Sequence, residues 1–176
     1  MSEPDWRVRV GRDGDRELLA SFGCSNSTVP YQAEVEQFVQ EQLLDWTLTP
    51  GATGDDPRLL FLVVTATSEL VGVAAHERVI LQGSHGVPFN ATRLEVIAVT
   101  TEWQGKTFES SVRVSDVLMS AVMYDVSRRV PSRDARVFAT VHEENERSQK
   151  LLRRYGLTEM MSSSTPGYLR LVTPGE

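Results

Sequence analysis

Apolar and polar positions change rhythm several times along this 176-residue chain, and each rhythm predicts an element. Trp6-Arg-Val-Arg-Val10 alternates every second residue, the period of a half-buried strand. Asp13 to Phe22 opens with acidic residues and carries Leu18, Leu19 and Phe22 behind them, which predicts a short helix. From Tyr31 to Trp46, the apolar residues Val35, Phe38, Val39, Leu43 and Trp46 recur at helical spacing and mark an amphipathic helix. Leu59 to Thr65 is a short, β-branched apolar run and predicts a central strand. Leu70 to Leu81 returns as its antiparallel partner across the turn Thr67-Ser-Glu69. The turn-forming stretch 49–57, rich in Gly, Pro and Asp, and the stretch 82–90, with two glycines and Pro88, predict loops.

The second half repeats a simpler unit. A strand over Leu94–Thr100 leads into a helix whose apolar face is Val114, Val117, Leu118, Ala121, Val122 and Val126. Pro131 ends that helix, with Arg128 and Arg129 at the negative end of its dipole. Val137 to Val141 is a buried strand. The next helix has Glu143, Glu144 and Glu146 near its start, Arg153 and Arg154 near its end, and Gly156 at the C′ position. Thr158–Ser163 and Tyr168–Val172 form a closing strand pair around Pro166-Gly167. The order β, α, α, β, β, β, α, β, α, β, β predicts a mixed sheet with helices on both faces, in the α/β (α+β) class.

Chain length changes this picture little: residues 1–176 are expected to form a single domain around one core. A net charge of −6 disfavours nucleic acid or an anionic membrane as partner, although the pairs Arg128-Arg129 and Arg153-Arg154 leave a local basic patch open. Cys24 is the single cysteine, so an intrachain disulfide and a thiolate-rich metal site are both excluded. His76, His85 and His142 share no ligand spacing, and no metal is expected. The N-terminus has neither a basic start nor an apolar stretch, and no apolar run approaches a membrane span, so a cytoplasmic protein is expected.

The candidate chemistry lies between Thr92 and Leu157. Two neighbouring strand-to-helix crossings there leave backbone N–H groups at a helix start, which suits an anionic ligand. Ala98-Val99 at the strand end, Gln104-Gly105 in the loop, and Asn145, Ser148, Leu151, Gly156 and Leu157 along the second crossing are the residues that matter. In this pattern the chain resembles the GNAT acyl-CoA-dependent N-acetyltransferases. Those proteins follow the first strand with Gln/Arg-x-x-Gly-x-Gly/Ala and later carry Asn-x-x-Ala/Ser-x-x-Leu-Tyr before a Gly-Phe pair. The later glycines of the first motif are missing here, because the loop continues as Lys106-Thr-Phe-Glu-Ser-Ser-Val112. Either an insertion precedes the helix, or the cradle is built from non-glycine residues.

The resemblance implies a mostly antiparallel central sheet splayed open between strands 4 and 5, beside Val99. It implies acetyl-CoA as acyl donor and a small-molecule amine or protein amine as acceptor, with direct transfer between them. Ile97, Ala98 and Val99 would line the cofactor arm, the Val99 N–H meeting the thioester carbonyl. Gln104, Gly105, Lys106 and Thr107 would cradle the pyrophosphate; the alternative is an ordinary polar loop. Asn145 and Ser148 would touch the cofactor arm, and Asn145 also suits a helix cap. Glu95 would draw the proton from the amine through a water, whereas its plain reading is a strand carboxylate paired with Arg78 or Arg93.

The position of the tyrosine that protonates the thiolate in many family members holds Leu152 here. Tyr155 or the more distant Tyr124 would substitute only if the site were displaced. His142, at a strand end near the cleft, reads as a base, a substrate contact or a solvated side chain. Trp46 reads as packing, and Trp103 as packing or acceptor lining. Two other readings stand beside the enzyme: a degenerate module that binds acyl-CoA or a protein without turnover, and a toxin-like enzyme acting on aminoacyl-tRNA. Either a monomer or a homodimer paired through a sheet edge is compatible with such a fold.

Overall fold

The structure, a computed structural model, describes residues 5–26, 28–48, 54–82, 86–108, 110–129, 136–162 and 165–174. One seven-stranded sheet runs through it in the order β1-β2-β3-β4-β5-β7-β6. Its strands are β1 (Trp6–Val10), β2 (Asp55–Val64), β3 (Leu70–Gln82), β4 (Pro88–Val99), β5 (Arg136–His142), β6 (Thr158–Ser162) and β7 (Tyr168–Val172). All neighbours are antiparallel except β4 and β5. The apolar run of β2 is buried on both faces, as a continuous rather than alternating pattern requires. Leu59, Phe61 and Val63 face one core, and Leu60 and Leu62 face the other.

The first core is covered by the early helices. A turn of 3₁₀ helix leads into α1 (Arg16–Ala20), and α2 (Pro30–Gln37) continues through a π turn at Phe38–Gln42 into α3 (Leu43–Leu48). The single helix expected over Tyr31–Trp46 is therefore interrupted, with the Leu43 N–H reaching back to the Phe38 carbonyl. Val39 and Leu43 lie fully buried beneath this interruption, and Trp46 packs at its margin. On the opposite face lie α4 (Val114–Arg129) and α5 (Glu146–Arg154). Gly72 of β3 lets α4 approach closely, since a Cβ there would stand 2.5 Å from Leu118 Cδ1.

Two expected loops are shorter than their composition implies. β2 begins at Asp55 rather than Leu59, and β4 at Pro88 rather than Leu94. The long β3 supplies the reason, because Asp55 pairs with Arg78 and Pro88 with Gln82. Asp56 takes a φ of 55° next to Pro57, within a register shift that lets the proline sit in the strand. The middle of each expected loop, at 49–53 and 83–85, lies outside the described residues.

Two irregularities set the geometry of the second half of β4. Its pairing with β5 is confined to Ala91–Leu94 against Arg136–Ala139, so the strands part beyond Leu94. On its other edge, Ala75 pairs with Val96 and His76 with Leu94, leaving Glu95 as an extra residue. This is a β-bulge, which breaks the alternation so that Glu95 and Val96 both face the side of α1–α3.

Candidate functional site

The parted strands leave a crevice walled by Glu95–Val99 on one side and Thr140–His142 on the other. Which backbone groups face it follows from the ladder. The Thr100 N–H donates to the Val71 carbonyl at 3.0 Å, so Val99 and its partner Gly72 form a non-hydrogen-bonded pair. The Val99 N–H and carbonyl therefore turn away from β3 toward the crevice, and those of Ile97 two residues earlier do the same. No described strand pairs with them there. Ala98 points its side chain into the opposite core.

The loop after β4 folds back on itself before α4 begins. Thr107 and Arg113 close it as an isolated antiparallel bridge, with the Phe108 N–H donating to Val112 and the Val114 N–H to Lys106. Phe108 is 3% exposed and packs against Trp103 and Trp6, at ring separations of 5.4 and 6.1 Å. It is thereby anchored in the α4-side core toward β1, and does not project into the crevice. Trp103 shares that placement and donates to Glu69 at 3.0 Å, so it does not line the acceptor side.

Among the four residues expected to form a cradle, the roles divide. The amides of Gln104 and Lys106 are engaged within the loop, by the carbonyls of Thr100 and Trp103. Gly105, at φ 75°, and Thr107 have amides with no partner among the described residues. Lys106 is exposed, its Nζ 5.7 Å from the Trp103 ring centre. The Gln104 side chain is a junction. Its Nε2 donates to Val99 O (3.0 Å) and Cys24 O (2.7 Å), and its Oε1 accepts from Arg147 of α5 at 3.1 Å. The strand end, the loop after α1 and the start of α5 are thus tied together at the mouth of the crevice.

That loop after α1 is held from α2 as well. Both carboxylate contacts come from Glu36, which accepts the N–H groups of Cys24 (2.6 Å) and Ser25 (2.8 Å). Burial works against its charge, but these backbone bonds outweigh it and keep its carboxyl below the usual range. At α5, Asn145 caps the helix as expected, its Oδ1 accepting the Ser148 N–H at 3.1 Å.

Glu95 pairs with Arg93, at 2.9 Å, and not with Arg78. Arg93 is shared with Glu77, which is 3% exposed. Burial pushes the Glu95 carboxyl above its ordinary range, Arg93 opposes this, and the like charge of Glu77 adds to it. A half-buried carboxylate beside a crevice, raised in this way, is suited to proton abstraction. The bulge that aims it left no trace in the sequence pattern.

Neither Tyr155 nor Tyr124 stands at the crevice. Leu152 is buried in the core, and Tyr155 is engaged elsewhere, its hydroxyl donating to Asp116 O and lying 2.8 Å from Ser120 Oγ. Tyr124 is exposed on α4 beside Arg128. His142 is half-buried between two tyrosines. Its ring stacks on Tyr31 at 4.4 Å and meets Tyr168 edge-on, and its Nδ1 accepts the Glu144 N–H. His76 is buried on the α4 side against Asp125, while His85 lies outside the described residues. The arginine pairs do not converge: Arg129 binds Asp56 and Asp125 at one end of α4, and Arg154 binds Asp116 at the other.

Neither a family model nor a curated protein matches the sequence. Solved structures do match the fold along nearly all of its length. A putative phosphinothricin N-acetyltransferase aligns with TM-score 0.62 and 14% identity over 97% of this chain and 99% of its own. The PaiA N-acetyltransferase from Thermoplasma acidophilum, in complex with coenzyme A, gives 0.65 and 13% over 98% and 99%. A variant of the AtaT toxin, bound to the C-terminus of the antitoxin AtaR and acetyl-CoA, gives 0.61 and 15% over 96% and 94%.

Proposed function

Taking as premise that this chain has the fold of the GNAT N-acetyltransferases, we propose that it moves an acetyl group from acetyl-CoA to a primary amine by direct transfer. One observation carries the reading. The β4–β5 split leaves the Val99 amide facing a crevice, with Glu95 bulged onto the face beside it. Acetyl-CoA supplies a thioester whose carbonyl carbon is the electrophile. The residues present fit such a donor. Strand amides of Ile97 and Val99 line the gap, the Gly105 and Thr107 amides lie at the loop, and Thr100 Oγ1 is buried without a partner.

In this reading the Val99 N–H donates to the carbonyl oxygen as charge develops on it. Glu95 accepts the amine proton through a water while the new C–N bond forms and the C–S bond breaks. Asn145 and Ser148 set the start of α5 beside the pantetheine arm, and Gln104 fixes the strand end and the acceptor loop as one unit. The thiol leaves as thiolate, since a pKa near 8.5 makes departure tolerable without a tyrosine. The engagement of Tyr155 with α4 favours one alternative, a module that binds acyl-CoA without turnover.

Calorimetry with acetyl-CoA and free-thiol release across an amine panel separate the two. Binding with thiol release, reduced about a hundredfold or more in Glu95→Gln, is the expected result. Binding without release from any amine selects the alternative, and no binding at all ends both.

A further inference from the structure

The face of the sheet that carries Glu95 also carries a cation, Arg170, that makes no ion pair among the described residues. Arg170 of β7 pairs in register with Thr140 of β5, one step beyond the point where β4 and β5 separate. Its neighbours in alternation fix the face it occupies. Tyr168 meets His142 edge-on beneath α2, its hydroxyl 3.4 Å from Glu34 Oε2, and Val172 clusters with Phe138 and Ala91. Arg93, Glu95 and Glu77 stand on that same face across β4 and β3. The guanidinium of Arg170 leans over the Phe138 ring, 5.8 Å from its centre. Phe138 is in turn the register partner of Arg93. One aromatic ring of β5 therefore lies between the Glu95 cluster on β4 and Arg170 on β7, a lateral span of two strand spacings, roughly 10 Å.

Arg170 makes no ion pair or hydrogen bond among the described residues, and its Nε is buried without a partner. A ring face attracts the cation but satisfies none of its five donors. Keeping a guanidinium partly desolvated and unpaired is costly unless an anion arrives to complete it. The planar fork matches a carboxylate in two parallel hydrogen bonds. Arg136 also lies over a ring, that of Phe89, but at the closed end of the β4–β5 pairing, away from the crevice.

Resting on the acetyl-transfer reading above, we propose that the acceptor is a small amine that also carries a carboxylate, a free amino acid. Its amine faces Glu95 and its carboxylate is held by Arg170, with Phe138 as the floor between them. Arg170 acts as a specificity residue; it takes no part in the proton transfer.

The test compares L-leucine and L-phenylalanine with their amides and with the matching decarboxylated amines, by thiol release from acetyl-CoA. Carboxylates are expected to show KM values about 10- to 100-fold lower than their amides, as a charge-assisted pair gives. That ratio should fall toward one in Arg170→Gln, recover in part in Arg170→Lys, and persist in Arg136→Gln. Ligand-observed NMR with the same amines and no acetyl-CoA gives a second, independent reading. If no amine releases thiol, yet the carboxylates bind and Arg170→Gln abolishes it, the transfer reading fails and the carboxylate site stands. Equal KM values for acids and amides, a ratio that survives in Arg170→Gln, or carboxylates that neither bind nor react overturn the proposal.

Discussion

Phe108 is the point at which the loop between β4 and α4 is fastened to the rest of the protein, and Phe108→Ala measures how much depends on that ring. The side chain is 3% exposed, with two aromatic neighbours and the first turns of α4 around it. Removing a buried phenylalanine ring costs about 3–5 kcal/mol. The lower end applies here, near 3 kcal/mol, because the loop ends in half-exposed residues such as Val112 (41% exposed) and is able to collapse partly into the space. For a chain of this size that corresponds to a fall in Tm of roughly 6–12 °C. Urea unfolding supplies the free energy, and hydrogen exchange locates it. The Phe108 and Val114 amides, bonded to Val112 and Lys106, should lose protection first. Acetyl-CoA binding should weaken in parallel, since Gly105 and Thr107 belong to the same loop. A loss below about 1 kcal/mol, or unchanged protection at those two amides, would show that the ring anchors nothing.

Two further outcomes rest on charge and burial. Glu95 functions as a base only when ionised, so activity should rise as pH passes upward through its raised pKa; Glu77→Gln removes a like charge and should move that limb to lower pH, an upward or absent shift refuting the assignment. Burial first, and then the charge of Glu36, push the Cys24 thiol up to about 12. Its alkylation by iodoacetamide at mildly alkaline pH should accordingly be on the order of a thousandfold slower in the native protein than in concentrated urea, and equal rates would refute the buried placement.

The element order and the strand-helix crossings could be read from the sequence because they rest on local periodicity. Val114 to Val126, the run Leu59–Val64 and the Asn145 cap each announce themselves within a few residues. What escaped was set by partners distant in the chain. Asp55 and Pro88 read as turn residues, yet β3 is long enough to recruit both into strands. The bulge at Glu95 exists only in the relation between β3 and β4, and Leu94-Glu95-Val96 alternates as any strand would. Phe108 sat in a stretch without periodicity, so nothing marked it as an anchor, and Trp103 went with it to the α4 side. Nothing in the sequence singled out Arg170; its lack of an ion pair emerges only once Glu77 and Glu95, on the same face, are seen to share Arg93.

Glu95 is surplus to the ladder it sits in. Cut it out of the chain, and Leu94 and Val96 would become consecutive partners of His76 and Ala75, their side chains falling on opposite sides without interruption. The shortened protein would own a more regular sheet and no carboxylate at the gap. At this one residue a regular ladder and a carboxylate beside the gap exclude each other.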